Sequence, residues 1–491
     1  MRLTASDFYS YYRPAPCELR VYLRGHGEEE ASPGPYHEVL RRLGARHEQA
    51  HLATFPTVVD LSTEPQEERC LRTVAEVKAG TPVLYQPLLR ATTMLDGVEC
   101  EVIGEPDFLI RAGSRYLIRD SKLSRRINEN DHPEILRQLE LYGWLFEQTI
   151  GEEPEGLQVH SGPGDIVDVP CDDGANALEV LAHIVSLKRA ESQPYTPVGW
   201  TKCGDCGFRN RCWPQAETRR DVALVDGVDQ GLAVALREHG VDTFDQLLAE
   251  FDEQRLDGFQ RPWGAKTQRV GKRAASILRM ANAMASGEET VLGVPAVPAL
   301  PNYVMFDVEG LPPQLDELDK VYLWGLQVFG EDPGEFQAAT AGFGPDGDRD
   351  GWEAFLAITS AVFDRCGDLP FVHWANYERT KLKGYVERFG DRDEIAARVD
   401  RNLLDLLPIT RAAIALPLPS YSLKVIERYI GFERTQEEYG GDWAMAKYIE
   451  ATETEVEAQQ AELMGEILAY NREDLEATWA VLQWLRSKAP R

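Results

Sequence analysis

Short apolar runs broken by polar turns recur along the chain at strand spacing, with longer amphipathic stretches between them. The sharpest is Gly104 to Lys122, where Phe108-Leu109-Ile110 and Tyr116-Leu117-Ile118 flank Arg111-Ala112-Gly113-Ser114. This predicts a hairpin with a short glycine-containing turn. A turn centred on Ala112 and Gly113 sets Asp107 opposite Ile118, and strand alternation then gives Ile118, Asp120 and Lys122 the face of Asp107. Residues 36–54 predict a charged amphipathic helix. Gln138 and Tyr142, four apart, share a helical face soon after the hairpin. Leu224, Leu232, Leu236, Phe244, Leu247 and Leu248 form the apolar face of a helical region, with Gly227-Val228 and Gly240-Val241 before helix starts. Pro295, Pro298 and Pro301 punctuate a linker. After it, Val304, Phe306 and Val308 fall on one side of a strand, and Asp307 with Glu309 on the other. Strands follow over 321–330 and 335–340. Residues 371–382 predict a strand running into a helix with Glu378 near its start, and Tyr470 and Asp474 lie one helical turn apart.

A chain of 491 residues is too long for one core and predicts two or three domains, and 43% apolar residues suffice to fill them. The net charge of −29 argues against a chain-wide basic coat for polyanions. Local patches remain: Arg111, Arg115, Arg119, Lys122, Arg125 and Arg126 bracket the hairpin, and Arg261, Lys266, Arg269, Lys272, Arg273 and Arg279 form a second basic segment. Gly264-Ala265-Lys266-Thr267 lacks the glycine before lysine and the preceding strand of a phosphate loop, so no NTPase is read here. No stretch of 18 apolar residues and no amino-terminal apolar segment appears, from which a soluble, cytoplasmic protein without membrane contact is expected.

Two acids and a lysine at one strand end suit phosphodiester hydrolysis. Carboxylates hold a divalent metal through oxygen, and the lysine orients water or steadies developing charge. The order Asp107, then Asp120-Ser121-Lys122, then Gln138-x3-Tyr142 resembles the PD-(D/E)XK nucleases of the RecB type. The resemblance implies a restriction-endonuclease-like domain using Mg²⁺ or Mn²⁺. It also implies one more ligand from an early helix that carries Gly44-Ala45-Arg46-His47-Glu48. Glu48 matches that position better and His47 is its neighbour. Adjacent helical residues point about 100° apart, so only one is expected to be a ligand.

Of eight cysteines, three stand as Cys203-x2-Cys206-x5-Cys212 among Gly, Asp and Asn. In a cytoplasmic chain this spacing points to metal rather than disulfides. No nearby Cys or His completes a zinc ribbon. One distant cysteine before the nuclease core and three after it resemble the iron–sulfur-stapled RecB-like nucleases, the AddB nuclease domain and CRISPR-adaptation nucleases among them. That resemblance implies a structural [4Fe–4S] cluster on Cys17, Cys203, Cys206 and Cys212; structural zinc is the alternative.

From Asp221 the helical region resembles a helix-hairpin-helix unit, which grips nucleic-acid backbone through loop amides. In the last block, Asp307-x-Glu309, then Glu378 after an aromatic, then Tyr470-x3-Asp474 resemble the DEDD exonucleases of the ribonuclease H-like fold. The resemblance implies metal ligation by Asp307, Glu309, Glu378 and Asp474, with Tyr470 placing the attacking water. Glu378 departs from the family's usual Asp. Asp405 and Ser422-Leu423-Lys424 fall where such domains have a helix and a Ser-Leu element.

The whole chain thus resembles RecB-like putative nucleases with an added ribonuclease H-like domain. The expected architecture is α/β multidomain: a nuclease domain over 1–218, a helical region over 219–290, a linker over 291–301 and an exonuclease-type domain over 302–491. The expected activity is metal-dependent cleavage of nucleic acid, DNA favoured over RNA, with a 3′–5′ exonuclease-like second site. A nucleic-acid-binding scaffold with degenerate sites is the alternative.

Overall fold

The computed structural model describes residues 1–32, 34–264, 266–311, 319–342, 344–435 and 440–488. The chain forms two compact units, Met1–Thr196 with Thr201–Asn210, and Pro197–Trp200 with Arg211–Arg491. No described helix is long and apolar enough to cross a membrane.

In the first unit, helices α1 (Ser6–Tyr12), α2 (Glu18–Gly25) and α3 (Pro35–Leu52) precede a six-stranded sheet. Its strands, adjacent in chain order, are β1 (Val59–Asp60), β2 (Val83–Tyr85), β3 (Phe108–Ala112), β4 (Arg115–Ser121), β5 (Gly156–His160) and β6 (Ile166–Val169). Helix α4 (Pro133–Ile150) supplies Leu139, Tyr142, Leu145 and Phe146 to the core that takes Leu109, Ile118 and Val159 from the sheet. Val83, Tyr85 and Phe108 alternate to a smaller cluster with Leu52 and Phe55. The predicted hairpin forms, with its register moved by two residues: Phe108 pairs with Arg119 and Ala112 with Arg115. Gly113, at φ +65°, takes the left-handed turn position that favours glycine. Asp107 therefore stands by Asp120 rather than Ile118. A two-residue shift preserves strand parity, so the expected shared face survives.

Beyond the helix Arg209–Arg219, the second unit carries helices α5 (Gln230–Glu238), α6 (Phe244–Glu250), α7 (Glu253–Gly258) and α8 (Ala274–Ser286). Thr243 and Gln246 form a reciprocal capping box that starts α6. Between α7 and α8, where a purely helical region was expected, strands β7 (Gln260–Trp263) and β8 (Lys266–Arg269) make a separate hairpin. The stretch expected as a linker is tied down where it begins, since Thr290 and Val291 pair with Ala415 and Ile414.

The main sheet of this unit runs β11 (Gln337–Thr340), β10 (Val321–Gly330), β9 (Asn302–Gly310), β12 (Phe371–His373), β13 (Leu403–Asp405). The first three strands are antiparallel, and β12 and β13 run parallel to β9. One face packs Phe306 and Trp324 against Trp352 and Phe355 of helix α9 (Gly344–Cys366) and Tyr385 of α10 (Tyr377–Phe389). The other meets the long helix α11 (Glu457–Ser487), where Trp479 lies 6.0 Å from the ring of Tyr303. Asp307 and Glu309 thus occupy the face of the central strand that α11 covers.

Candidate active sites

In the first unit, Asp107 and Asp120 fix one another through backbone amides. The Asp107 N–H donates to Asp120 Oδ1 at 3.0 Å, and the Ser121 N–H donates to Asp107 Oδ2 at 2.7 Å. Lys122 Nζ lies 2.8 Å from Asp120 Oδ2. Burial, then the neighbouring Asp120 carboxylate, pushes the Asp107 carboxyl well above its usual range. Burial works against the Lys122 charge, yet Asp120 beside it, with Tyr9 and Asp107, holds the ammonium well above its usual pKa.

Helix α3 separates the two candidates for the remaining ligand. Glu48 Oε1 accepts from Tyr85 OH at 2.7 Å and from Gln86 Nε2 at 2.8 Å, and the same Gln86 amide donates to Asp107 Oδ1 at 3.1 Å. His47 turns away and stacks on His160 with ring centroids 4.3 Å apart. Gln86 carried no signal in the sequence. It follows β2 at φ +53°, and its own N–H donates to the Asp107 carbonyl at 2.8 Å. Gln138 and Tyr142 are buried and bonded inward: Tyr9 OH donates to Gln138 Oε1 at 2.9 Å, Gln138 Nε2 to Tyr142 OH at 2.7 Å, and Tyr142 OH to the Glu105 carbonyl at 3.1 Å. This chain of bonds runs beside Lys122, whose Nζ lies 5.8 Å from the Tyr9 ring centroid.

His160 also stacks on buried His51, at 3.9 Å, with Arg119 Nη1 3.3 Å from His51 Nε2. Burial, then the charges of His160 and Arg119, lowers His51 from 6.5 to about 4. Folding therefore favours the neutral ring. The His51 contribution is complete above the unfolded pKa of 6.5 and is lost as pH falls toward 4. The thermal stability of the first unit should fall across that window, read as a lower Tm, and less so in His51→Phe, which keeps an uncharged ring.

The cysteines occupy one neighbourhood in part. Cys17 caps α2, its Sγ accepting from the Arg20 N–H at 3.4 Å. Burial and then nearby Cys17 and Cys203 raise the Cys206 thiol, while burial lowers Lys202 against the pull of Cys17, Cys203 and Cys206. Three thiols and a lysine therefore share a field. Cys212 lies on the helix Arg209–Arg219, beyond Asn210, where the first unit ends.

In the second unit Asp307, Glu309 and Asp474 each bring an oxygen within 4.8 Å of the others. Burial, then mutual repulsion, pushes Asp307 and Glu309 well above the carboxylate range. Burial also raises Asp474, opposed by Arg434. Such a set suits a divalent cation, which would relieve the repulsion. Glu378 is not among the three residues with oxygens within 4.8 Å, but its charge also raises Asp307 and Glu309. It is buried, and its Oε2 lies 3.1 Å from His373 Nδ1. Tyr470 is buried on the same face of α11, with Lys424 Nζ 5.0 Å from its ring centroid. A cleft of 660 Å³ is lined by Asp307, Glu309 and Asp474 with Trp374, Tyr377, Lys424 and Tyr470. Asp405 caps the helix Leu406–Ala413, its Oδ1 accepting from Leu407 N at 3.0 Å.

Two residues here escaped the sequence reading. Asn471 Nδ2 donates to Asp307 Oδ2 at 2.6 Å, and its place directly after Tyr470 was the available signal. Arg434 pairs with Asp474 and clasps Glu427 at 2.7 and 2.8 Å, with nothing local to mark it. The approach of Asn471 depends on Gly325, which faces Asp307 across the ladder. A Cβ there would fall 1.7 Å from Asn471 Oδ1. Gly325→Ala should cost about 1–3 kcal/mol through overpacking. It should also weaken Mn²⁺ binding by this trio, read by calorimetry against Gly384→Ala, a change at an exposed helical glycine with open space around it.

Comparison with known proteins agrees with this division. Residues 17–213 match the PD-(D/E)XK nuclease superfamily, and residues 304–486 match the RNase H superfamily. No curated protein matches the chain. One solved structure, titled "Crystal structure of SSO0001", is 16% identical and covers 43% of this chain and 85% of its own, at a TM-score of 0.23.

Proposed function

From a chain that joins a PD-(D/E)XK nuclease superfamily domain to an RNase H superfamily domain, we propose a metal-dependent nuclease with two separate sites, acting on DNA in preference to RNA. The observation that carries the reading is the convergence of Asp307, Glu309 and Asp474 within 4.8 Å, together with the separate Asp107–Asp120–Lys122 constellation of the first unit.

In the first site Glu48, Asp107 and Asp120 would hold Mg²⁺ or Mn²⁺. In the second, Asp307, Glu309 and Asp474 would do so, with Glu378 adding its charge from the His373 side. The ion supplies Lewis acidity and a water acidic enough to attack a phosphodiester near neutral pH. Lys122 meets the water or the developing phosphate charge, and its bond to Asp120 aims it. Gln86 keeps Glu48 and Asp107 in register as ligands. Gln138 and Tyr142 are positioning residues behind Lys122. Tyr470 places the attacking water of the second site, which removes nucleotides from 3′ ends. A [4Fe–4S] cluster on Cys17, Cys203, Cys206 and Cys212 is part of the proposal, as a staple without redox duty.

A binding role for the second site is favoured by one feature, the pairing of Arg434 with Asp474, which already gives that carboxylate a cation. End-labelled linear and covalently closed single-stranded DNA, digested with Mn²⁺ by the Asp120→Asn and Asp307→Asn proteins, separate the readings. The two-site nuclease requires that Asp120→Asn still trims the linear strand from its 3′ end and spares the circle. Failure of that protein to trim either DNA or RNA, with binding intact, makes the second site a platform.

A further inference from the structure

The chain holds 81 acidic residues, yet none lies from Gly258 to Gly287, a stretch with six basic ones. Its first half is the β7–β8 hairpin, which pairs only with itself among the described strands. An isolated two-stranded hairpin is marginal in water, and this one is clamped at its base. Arg261, with its side chain only 3% exposed, pairs with Asp229 at 3.0 Å, and Arg273 reaches the same carboxylate at 3.2 Å. Asp229 also caps α5, accepting from the Leu232 N–H at 3.0 Å. The hairpin backbone presses on α5 so closely that a Cβ on Gly231 would lie 2.6 Å from the Pro262 carbonyl oxygen.

That anchorage presents a tryptophan to solvent. Trp263 is 58% exposed, with the Arg261 guanidinium 4.5 Å from its ring centroid. The register sets Trp263 opposite Lys266, so the ring and the ammonium share a face. Lys266 and Lys272 are exposed, while Arg269 lies on the other face of the hairpin and pairs with Asp257 at 3.5 Å. On a molecule of charge −29, a polyanion is repelled by most of the surface and drawn to this segment. An aromatic face held beside cations is the arrangement that takes single-stranded nucleic acid, one base stacked and the phosphates on lysine and arginine.

We propose that the hairpin is a single-strand grip: a base stacks on Trp263 while Lys266 and Lys272 take the adjoining phosphates. The grip deepens the nuclease reading by assigning where a substrate strand is held, and it tolerates any sequence because every base has a stacking face. Its test uses the full-length protein in EDTA, so that no strand is cut, and the fluorescence anisotropy of a labelled oligothymidylate. Trp263→Ala should weaken binding roughly 5- to 150-fold, the range that loss of one base–aromatic stack gives, and Trp263→Phe should recover most of it. The double change Lys266→Ala, Lys272→Ala should lower the slope of log affinity against log salt by about 1.4, as two single-strand phosphate contacts require. Hydrolysis of bis(p-nitrophenyl) phosphate with Mn²⁺, followed in parallel, reports the acid sites without the grip. Trp263-dependent binding in a protein that never hydrolyses it sustains the hairpin and removes the nuclease. Unchanged oligonucleotide affinity in both hairpin variants overturns the grip, and so does an effect confined to vesicles of anionic lipid.

Discussion

Asp120→Asn, made alongside Asp307→Asn to silence the second unit, is expected to reduce Mn²⁺-dependent cleavage of single-stranded DNA at least about 100-fold, the scale on which a preorganised electrostatic contact to the reacting centre acts. The loss should come without unfolding. Asparagine keeps the Oδ1 that accepts from the Asp107 N–H, so the strand end retains its brace. What disappears is the negative oxygen 2.8 Å from Lys122 Nζ. Two consequences follow from that one charge: a metal loses a ligand, and Lys122 loses the partner that holds it protonated. Removing Asp120 also removes the neighbour that, after burial, raises Asp107. Because burial and then Asp120 raise the Asp107 carboxyl, a metal at the proposed site would compete with protons there, so apparent Mn²⁺ affinity should rise with pH; in Asp120→Asn that dependence should weaken. Stopped-flow cleavage and calorimetry at several pH values read both. A cleavage rate that stays within threefold of the parent would falsify the first site as drawn.

Arg434→Met is expected to destabilise the second unit by about 3–5 kcal/mol, the usual cost of removing one partner from a buried ion pair. Arg434 is 13% exposed, and its partners Glu427 and Asp474 are 3% and 9% exposed, so water can do little to replace the guanidinium. The methionine keeps the aliphatic bulk and leaves two buried carboxylates without their cation. Asp474 then joins Asp307 and Glu309 in a set with more uncompensated charge. Mn²⁺ should therefore recover part of the lost stability, raising Tm more in the variant than in the parent protein. Differential scanning calorimetry with and without Mn²⁺ tests this directly. Equal metal-induced shifts in the two proteins would mean that the acids and Arg434 do not compete for the same charge.

The two expectations differ in how far the sequence alone foresaw them. Asp107, Asp120 and Lys122 were legible because strand parity is a local rule: residues two apart share a face whatever the register. The turn was misplaced by one residue on each side, and the face assignment survived because that error moves pairing by two. Asp307 with Glu309, and Tyr470 with Asp474, were legible for the same reason, each pair being set by the period of one element. Choosing Glu48 over His47 was beyond the period of α3. It took Tyr85 and Gln86, more than thirty residues on, to hold Glu48, and His160 from β5 to draw His47 away.

The sequence by itself determined the pairs of acids, since alternation and helical spacing encode them within a few residues, and it carried the motifs that resemble the two superfamilies in this order. Only the tertiary structure decided what completes each set. Gln86 acts from a left-handed turn, Asn471 reaches Asp307 because Gly325 leaves room, Arg434 arrives from outside every motif, and Glu378 is turned to His373. The β7–β8 hairpin belongs with these. Its residues read as a basic helical segment, and what makes them a strand pair is the buried Arg261–Asp229 contact across 32 residues. A partner that far along the chain leaves no periodic trace, so folding alone reveals it.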